Sequence, residues 1–184
     1  MPLRHRFAVD GRELFVIDDF LQGARLAHLT TYFDFAPAQR IEADRVDTDG
    51  SRFWIVPLDR DTTEQQPHYR ELLQVAGEHF HGESFTLERA YCNVISYGDM
   101  LYRHRDSSSD GDVTALVFLC ESWEAAWGGE TIFFDAAGDA VHAVSPRPGR
   151  LVLFRSSIEH RAGSPTRVCN RTRLTLAFKL RRAS

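Results

Sequence analysis

The sequence predicts a mainly β domain, a β-sandwich or barrel with helices packed on one face, and three observations predict it. Apolar residues recur at helical spacing in two N-terminal stretches, residues 20–33 and 62–80. After Gly82 the pattern changes to short runs typical of strands. Glycine and proline punctuate these runs, as expected for turns between antiparallel strands. Two helices followed by many short strands indicate helices lying on one sheet of an all-β core.

The N-terminal half is expected to alternate strands and helices. Asp18 and Asp19 follow the first strand, and aspartate is a favoured N-cap because its carboxylate accepts a hydrogen bond from a free N–H group of the first turn. We therefore expect the first helix to begin directly after them. The expected elements are a strand at Glu13–Ile17, a helix from Phe20 to Phe33, a polar loop over residues 36–50, a strand at Phe53–Leu58 and a helix from Thr62 to Phe80.

The C-terminal half is expected to contain six strands. They are short strand-like runs that glycine and proline separate. The expected strands are Phe85–Tyr97, Val113–Leu119, Glu130–Phe134, Ala140–Val144, Arg150–Phe154 and Arg173–Leu180.

The composition is that of a globular domain and excludes several classes of protein. Hydrophobic residues make up 43% and charged residues 26% of the 184 residues, which fits one folded domain. The formal net charge of −4 argues against nucleic acid as a partner, since phosphate binding relies on basic surface. The apolar runs are too short for a membrane span, and the charged residues 1–10 lack the apolar stretch of a secretory signal. We expect a cytoplasmic protein without a membrane partner.

A candidate metal-binding motif lies at His104-Arg105-Asp106. Side chains alternate along a strand, so on a strand His104 and Asp106 would project together and Arg105 would point away. A third ligand from a distant strand would complete a facial triad of two histidines and one carboxylate, which suits non-haem iron(II) with open coordination positions. The motif is weak on its own, because this spacing arises by chance, and a solvated loop histidine beside an aspartate is the competing interpretation.

The order of motifs after Asp106 strengthens the metal hypothesis. A buried strand is followed by a tryptophan-containing turn that leads through Gly-Gly-Glu-Thr into another strand, and a Pro-Gly-Arg strand then precedes a second histidine. These features lie, in order, at Val113–Leu119, Trp123–Phe134, Pro148–Phe154 and His160, with Arg173 coming 13 residues after that histidine. Over roughly Glu88 to Leu180, the chain resembles the prolyl-4-hydroxylase-like branch of the iron(II)/2-oxoglutarate oxygenases.

This resemblance implies a double-stranded β-helix, a jelly-roll or cupin-like core, with the N-terminal helices packed on one sheet. It implies a single domain over residues 1–184, with helical support and the first strands in residues 1–84 and the catalytic core in residues 85–184. The implied iron ligands are His104, Asp106 and His160. The implied cofactor and cosubstrates are Fe(II), 2-oxoglutarate and O2, with ascorbate as a supporting reductant.

The far carboxylate of 2-oxoglutarate requires a buried cation, and the planar fork of an arginine suits it. We expect Arg171, Arg173 and Thr175 to share one face of the last strand, with Leu174, Leu176 and Phe178 on the other face against the helices. Arg173 and Thr175 are similar to the Arg-x-Ser/Thr pattern of the family and are preferred. Arg171 remains the alternative anchor, and Tyr97 resembles a family tyrosine that contacts the cosubstrate.

The resemblance implies an oxygenase that releases succinate and CO2, and we expect it to hydroxylate an unactivated C–H of a small molecule such as an amino acid or a natural-product intermediate. A peptidyl-prolyl or other protein side chain is the alternative substrate, and desaturation and ring chemistry remain open. Two alternatives come from other classes. The same three ligands could serve a zinc-dependent hydrolase, or the fold could be a non-catalytic binding module.

Overall fold

The computed structural model describes residues 4–183, so the expected domain limits at residues 1 and 184 lie outside the described residues. None of the helices in residues 4–183 is long and apolar enough to cross a membrane. The helices are α1 (Gly23–Phe35), α2 (Arg60–Glu64) and α3 (Pro67–His79), with 3₁₀ turns at Val46–Ser51 and Ala125–Trp127. The strands are β1 (Arg4–Val9), β2 (Arg12–Ile17), β3 (Gln39–Glu42), β4 (Phe53–Leu58), β5 (Phe85–Ile95), β6 (Val113–Leu119), β7 (Thr131–Phe134), β8 (Ala140–Val144), β9 (Leu151–Arg155), β10 (Glu159–Ala162) and β11 (Arg173–Arg182).

The strands form two antiparallel sheets that face each other. The large sheet has eight strands in the order β1-β2-β9-β6-β11-β5-β4-β3, and the small sheet has three strands in the order β10-β7-β8. A mostly antiparallel architecture with helices outside the large sheet confirms the predicted fold class, a jelly-roll core with N-terminal helices on one sheet.

Strand β11 lies at the centre of the large sheet and separates two apolar cores. Its residues Leu174, Leu176 and Phe178 join the core beneath the helices, where Phe178 lies 6.0 Å from the ring of Tyr69 on α3. Ala177 joins the second core, between the two sheets. The predicted division of this strand into a helix-facing side and an inward side is therefore confirmed.

The first helix begins at Gly23, three residues later than predicted, and Gln22 occupies the N-cap position instead of an aspartate. The Asp18 carboxylate is engaged elsewhere, since Arg150 donates two hydrogen bonds to it. Asp19 has a φ of 61°, which turns the chain before the helix starts. The N-cap prediction was therefore wrong because a long-range ion pair takes the first carboxylate.

The second predicted helix, Thr62 to Phe80, is divided into α2 and α3 at Pro67. Proline lacks an N–H group and its ring clashes with the preceding turn, so it starts a helix more readily than it continues one. The expected loop over residues 36–50 also contains strand β3, which pairs with β4 at the edge of the large sheet. Strands β1 and β10 were likewise not predicted, because short and polar strands show little alternation.

The close approach of Gly149 to the backbone of Leu21 provides a test of stability. It has a φ of 60°, and a Cβ atom added there would lie 1.8 Å from the backbone oxygen of Leu21. Gly11, in the turn between β1 and β2, has a φ of 76° but no heavy atom within 4 Å of an added Cβ. Both positions impose the same backbone strain on alanine, and only Gly149 adds a clash.

We predict that Gly149→Ala lowers the free energy of unfolding by about 3 kcal/mol or more, since the segment at Leu21 must move away. Gly11→Ala should lower it by only about 1 kcal/mol, the strain of a left-handed alanine. Urea unfolding of both variants measures the difference. Equal losses would show that the contact with Leu21 adds nothing beyond backbone strain.

Candidate metal centre and its cavities

His104, Asp106 and His160 converge between the two sheets. One ligand atom from each residue lies within 4.8 Å of the others, which makes them a candidate metal centre. His160 is on β10 of the small sheet. His104 and Asp106 are not on a regular strand as predicted, because only one residue of the segment forms a bridge. The backbones of His104 and His160 exchange two hydrogen bonds of 3.0 Å, and Asp106 donates one to the carbonyl of Ser156, which holds the three side chains together.

Both histidines are oriented by backbone carbonyl groups. His104 Nδ1 lies 3.0 Å from the carbonyl oxygen of Tyr102, and His160 Nδ1 lies 3.0 Å from that of Ile158. A carbonyl oxygen only accepts hydrogen bonds, so each Nδ1 carries a proton, and in the neutral ring Nε2 keeps its lone pair. Both Nε2 atoms point towards Asp106, at 3.4 Å and 3.5 Å from its carboxylate oxygens. This donor set of two imidazole nitrogens and one carboxylate fits a divalent transition metal.

Burial and neighbouring charges shift the pKa values of the three triad residues in different directions. Burial lowers the pKa of His160 to about 3, so its imidazole is neutral. Burial would raise the pKa of Asp106, but the neighbouring Lys179 and the two histidines hold that pKa well below its usual range. Burial opposes the charge on His104, yet the neighbouring Asp106 and Asp44 raise the pKa of this imidazole.

Asp44, which was expected to lie in a loop, contacts the triad from outside. Its carboxylate oxygen lies 3.3 Å from His104 Nδ1, and it accepts a hydrogen bond from the backbone N–H of Tyr102. Burial raises the pKa of the Asp44 carboxyl. A carboxylate behind a metal-binding histidine fixes the tautomer and orientation of the ring. No local pattern could identify Asp44, because the residue meets His104 across 60 positions of sequence.

Two connected cavities meet at the triad. The outer cavity has a volume of about 270 Å³ and opens beside His104 and Asp106, and the inner cavity, which is smaller at about 40 Å³, extends past His160 towards Arg173. Five residues line both cavities: Asp44, Phe53, Tyr91, His104 and Lys179.

Arg173 lies at the inner end, on β11, and is 1% exposed. Its guanidinium donates to the carbonyl oxygen of Gly129 at 2.6 Å and to the hydroxyl oxygens of Thr175 at 2.7 Å and Thr131 at 3.0 Å. Gly129 and Thr131 belong to the Gly-Gly-Glu-Thr turn, so this motif positions the arginine. The ring of Phe118 lies beneath the guanidinium, 5.0 Å away.

The Arg173 cation has no anionic partner within residues 4–183. No carboxylate of that part of the chain lies within ion-pair distance of it. An arginine has five N–H donors, and three are used, which leaves one on each terminal nitrogen. Burial lowers the pKa of Arg173 to about 10, so the side chain remains charged at neutral pH. A buried and unpaired cation beside an inner cavity is a binding group for an anion.

The comparison with protein families agrees with this geometry. Residues 92–180 match the model of the 2OG-Fe(II) oxygenase superfamily, and this segment contains the whole triad and Arg173. The chain is a 2OG-Fe(II) oxygenase. The membership implies Fe(II) as the metal and 2-oxoglutarate and O2 as cosubstrates. No protein of curated function matches the sequence closely enough to count as a relative.

Solved structures share the fold of this oxygenase at low sequence identity. A prolyl-4-hydroxylase from Pseudomonas putida is 22% identical, with 93% of each chain covered and a TM-score of 0.63. A prolyl hydroxylase from Trichoplax adhaerens, solved with a peptide fragment of hypoxia inducible factor, is 16% identical over 91% of this chain and 83% of that chain, with a TM-score of 0.63. A non-haem α-ketoglutarate-dependent epimerase of nogalamycin biosynthesis is 15% identical over 91% of this chain and 76% of that chain, also with a TM-score of 0.63.

The structure places Thr175, Arg171 and Tyr97 in three different surroundings. Thr175 lies beside Arg173 in the inner cavity, as expected. Arg171 precedes the first residue of β11, so it does not share the face of Arg173. It is exposed and lines a separate surface cavity with Asp34. Tyr97 follows the end of β5, is 62% exposed and lines neither cavity, whereas the unpredicted Tyr91 lines both.

We predict that Asp44→Asn weakens the binding of Mn(II), a redox-stable stand-in for Fe(II), by about tenfold or more, as is usual when the outer partner of a ligating histidine is lost. The amide can still accept the hydrogen bond from Tyr102, so the loop should stay in place. Asp47→Asn is the matched control, since this exposed carboxylate contacts Arg45 and not the triad. Calorimetric titration measures both affinities, and equal affinities in the two variants would contradict a role of Asp44 at the metal.

Proposed function

We propose that this oxygenase binds 2-oxoglutarate in the inner cavity, with its far carboxylate on Arg173, and hydroxylates an unactivated C–H of a small molecule in the outer cavity. The metal would be held by His104, Asp106 and His160. The observation that carries the proposal is the buried guanidinium of Arg173, which has no anionic partner within residues 4–183 and lies at the end of the cavity that begins at the triad.

A 2-oxoglutarate molecule has the right chemistry for this cavity. Its α-keto acid end is a chelator for a metal, and its other end is a carboxylate that pairs with a planar guanidinium fork. The two unused N–H groups of Arg173 match that carboxylate, and the hydroxyl groups of Thr175 and Thr131 lie beside them. A zinc-dependent hydrolase would leave the charge of Arg173 buried without a ligand, so the arginine favours the oxygenase.

The metal, Arg173 and the apolar lining of the cavity would have separate roles in the reaction. Bound Fe(II) supplies the oxidising chemistry that couples decarboxylation of 2-oxoglutarate to succinate and CO2 with insertion of one oxygen atom of O2 into the C–H bond. Arg173 orients the cosubstrate along the inner cavity. Leu101, Leu116 and Phe53 line the same space with apolar surface, and they exclude water from the reacting groups.

The outer cavity supports a small substrate. Its volume of about 270 Å³ is near the lower end of cavities that hold small molecules. Charged side chains line much of it, and several are already paired: Glu42 with Arg89, and Asp106 with Lys179. Arg105 lies exposed at its mouth with no ion pair among the described residues, which offers a contact for an anionic group of a substrate.

The choice between Arg173 and Arg171 gives a direct test of the cosubstrate site. We predict that Arg173→Ala weakens 2-oxoglutarate binding by about two to three orders of magnitude, because a desolvated carboxylate loses its partner at a cost of about 3–5 kcal/mol. Arg171→Ala should bind 2-oxoglutarate as the wild type does. Anaerobic calorimetric titration of the Fe(II)-loaded variants measures both. A large defect in Arg171→Ala with normal binding in Arg173→Ala would reverse the assignment.

We predict that free amino acids and other small carboxylates stimulate succinate formation more strongly than prolyl peptides do, since the outer cavity encloses small molecules. A panel of both classes, assayed with Fe(II), 2-oxoglutarate and ascorbate, measures succinate and hydroxylated product together. His160→Ala should form no succinate above background with any compound. Coupled turnover with peptides alone would replace the small-molecule proposal by protein side-chain hydroxylation.

A further inference from the structure

Lys179 is the only lysine of the chain, which has 21 arginines at its other basic positions. It lies on β11, where it continues the inward alternation of Arg173, Thr175 and Ala177. Its side chain is 14% exposed, and its Nζ lies 2.6 Å from Oδ2 of Asp106. A chain that otherwise uses arginine throughout therefore places its one compact ammonium group against a candidate metal ligand.

The two carboxylate oxygens of Asp106 have different surroundings. Oδ2 accepts hydrogen bonds from the ammonium group of Lys179 and from the hydroxyl of Thr114, each at 2.6 Å. Oδ1 lies 3.4 Å from His104 Nε2, Oδ2 lies 3.5 Å from His160 Nε2, and both nitrogens are candidate metal-ligand atoms; neither Lys179 nor Thr114 contacts Oδ1. One oxygen is therefore occupied by donors, and the other is free for a cation.

Thr114 is itself held in the donating orientation. A threonine hydroxyl has one proton, and the proton of Thr114 is used towards Asp106. The contact of 2.9 Å between the hydroxyls of Thr114 and Ser156 must then be donated by Ser156. Ser156 therefore donates to Thr114, and Thr114 donates to Asp106.

We propose that Lys179, assisted by Thr114, is a positioning residue that occupies Oδ2 of Asp106 and so restricts this ligand to binding the metal through Oδ1 alone. The proposal rests on the metal site described under the proposed function. A carboxylate that binds through both oxygens takes two coordination positions. A carboxylate restricted to one oxygen leaves three positions for the two donor atoms of 2-oxoglutarate and for O2.

The shape of lysine explains why arginine does not occur here. The ammonium group is a compact donor of three hydrogen bonds on a flexible stem, whereas a guanidinium is a wide planar fork. Lys179 Nζ lies 5.8 Å from the ring centre of Tyr91 and borders both cavities. A wider group at this place would extend into the space that the cosubstrate and substrate require.

Two effects of opposite sign distinguish this role from simple support of the fold. Lys179→Met keeps the length of the side chain and removes its charge. Metal binding should become tighter by about tenfold, because a like charge next to the cation is lost and Oδ2 of Asp106 keeps only its hydrogen bond from Thr114. The affinity of the metal-loaded protein for 2-oxoglutarate should fall by about tenfold or more, about 1.4 kcal/mol, because Oδ2 of Asp106 can then take a coordination position that the cosubstrate needs.

Titrations with Mn(II) and then 2-oxoglutarate measure both quantities. Arg181→Met is the matched control on the same strand, since Arg181 is exposed and paired with Glu88. Thr114→Val removes a donor but no charge, and we expect weaker 2-oxoglutarate binding without tighter metal binding. Loss of both affinities in Lys179→Met would indicate damage to the fold and would overturn the proposal, as would unchanged affinity for 2-oxoglutarate.

The wild-type protein offers a test that needs no variant. With selectively labelled lysine, an NMR spectrum contains one side-chain signal from the chain, that of Lys179. We expect this signal to keep the shift of a buried, hydrogen-bonded ammonium group when diamagnetic Zn(II) is added, while the histidine ring signals move. A lysine signal that shifts to the value of a solvent-exposed ammonium group would overturn the positioning role. Histidine signals that do not respond would contradict the metal site itself, and the proposal with it.

Discussion

The register of β11 is the constraint on which the site depends. This strand pairs with β5 on one side and with β6 on the other, so its ladder fixes which side chains point between the sheets. Arg173, Thr175 and Lys179 share that inward side, and Leu174, Leu176 and Phe178 point to the helices. A slip of one residue would exchange the two sets. It would place two charges in the helix core and remove both from the cavity.

The same strand carries two inward cations that have different partners. Lys179 is paired with Asp106, whereas Arg173, six residues earlier, faces only neutral hydrogen-bond acceptors among the described residues. A buried charge without a counter-ion is unfavourable, and the neighbouring carbonyl and hydroxyl oxygens offset only part of that cost. An anionic ligand would remove the remainder, which favours binding of a carboxylate beside Arg173.

The sequence was sufficient for the fold class. The three candidate metal ligands followed from the resemblance to the oxygenase family, and the inward pair Arg173 and Thr175 followed from that resemblance together with strand alternation. The sequence failed where the deciding contact is long-range. Asp44 reaches His104 from an expected loop, and Asp18 was not free to cap a helix because Arg150 binds it. Lys179 could have been found, since it continues the alternation from Arg173 and is the single lysine of the chain.

The two halves of the chain contribute different parts of the cavities. The segment that matches the oxygenase family, residues 92–180, contains the triad, Arg173 and Lys179. Much of the outer cavity is lined from before that segment, by Glu42, Asp44, Phe53, Glu88, Arg89 and Tyr91. The candidate metal ligands and Arg173 thus belong to the part that matches the oxygenase family, and the outer cavity is lined largely by the part that the family match does not cover. Changes in residues 42–53 therefore alter the lining of the outer cavity while the triad and Arg173 stay in place. This holds provided that Asp44 is retained, since it contacts His104 and also lines the outer cavity.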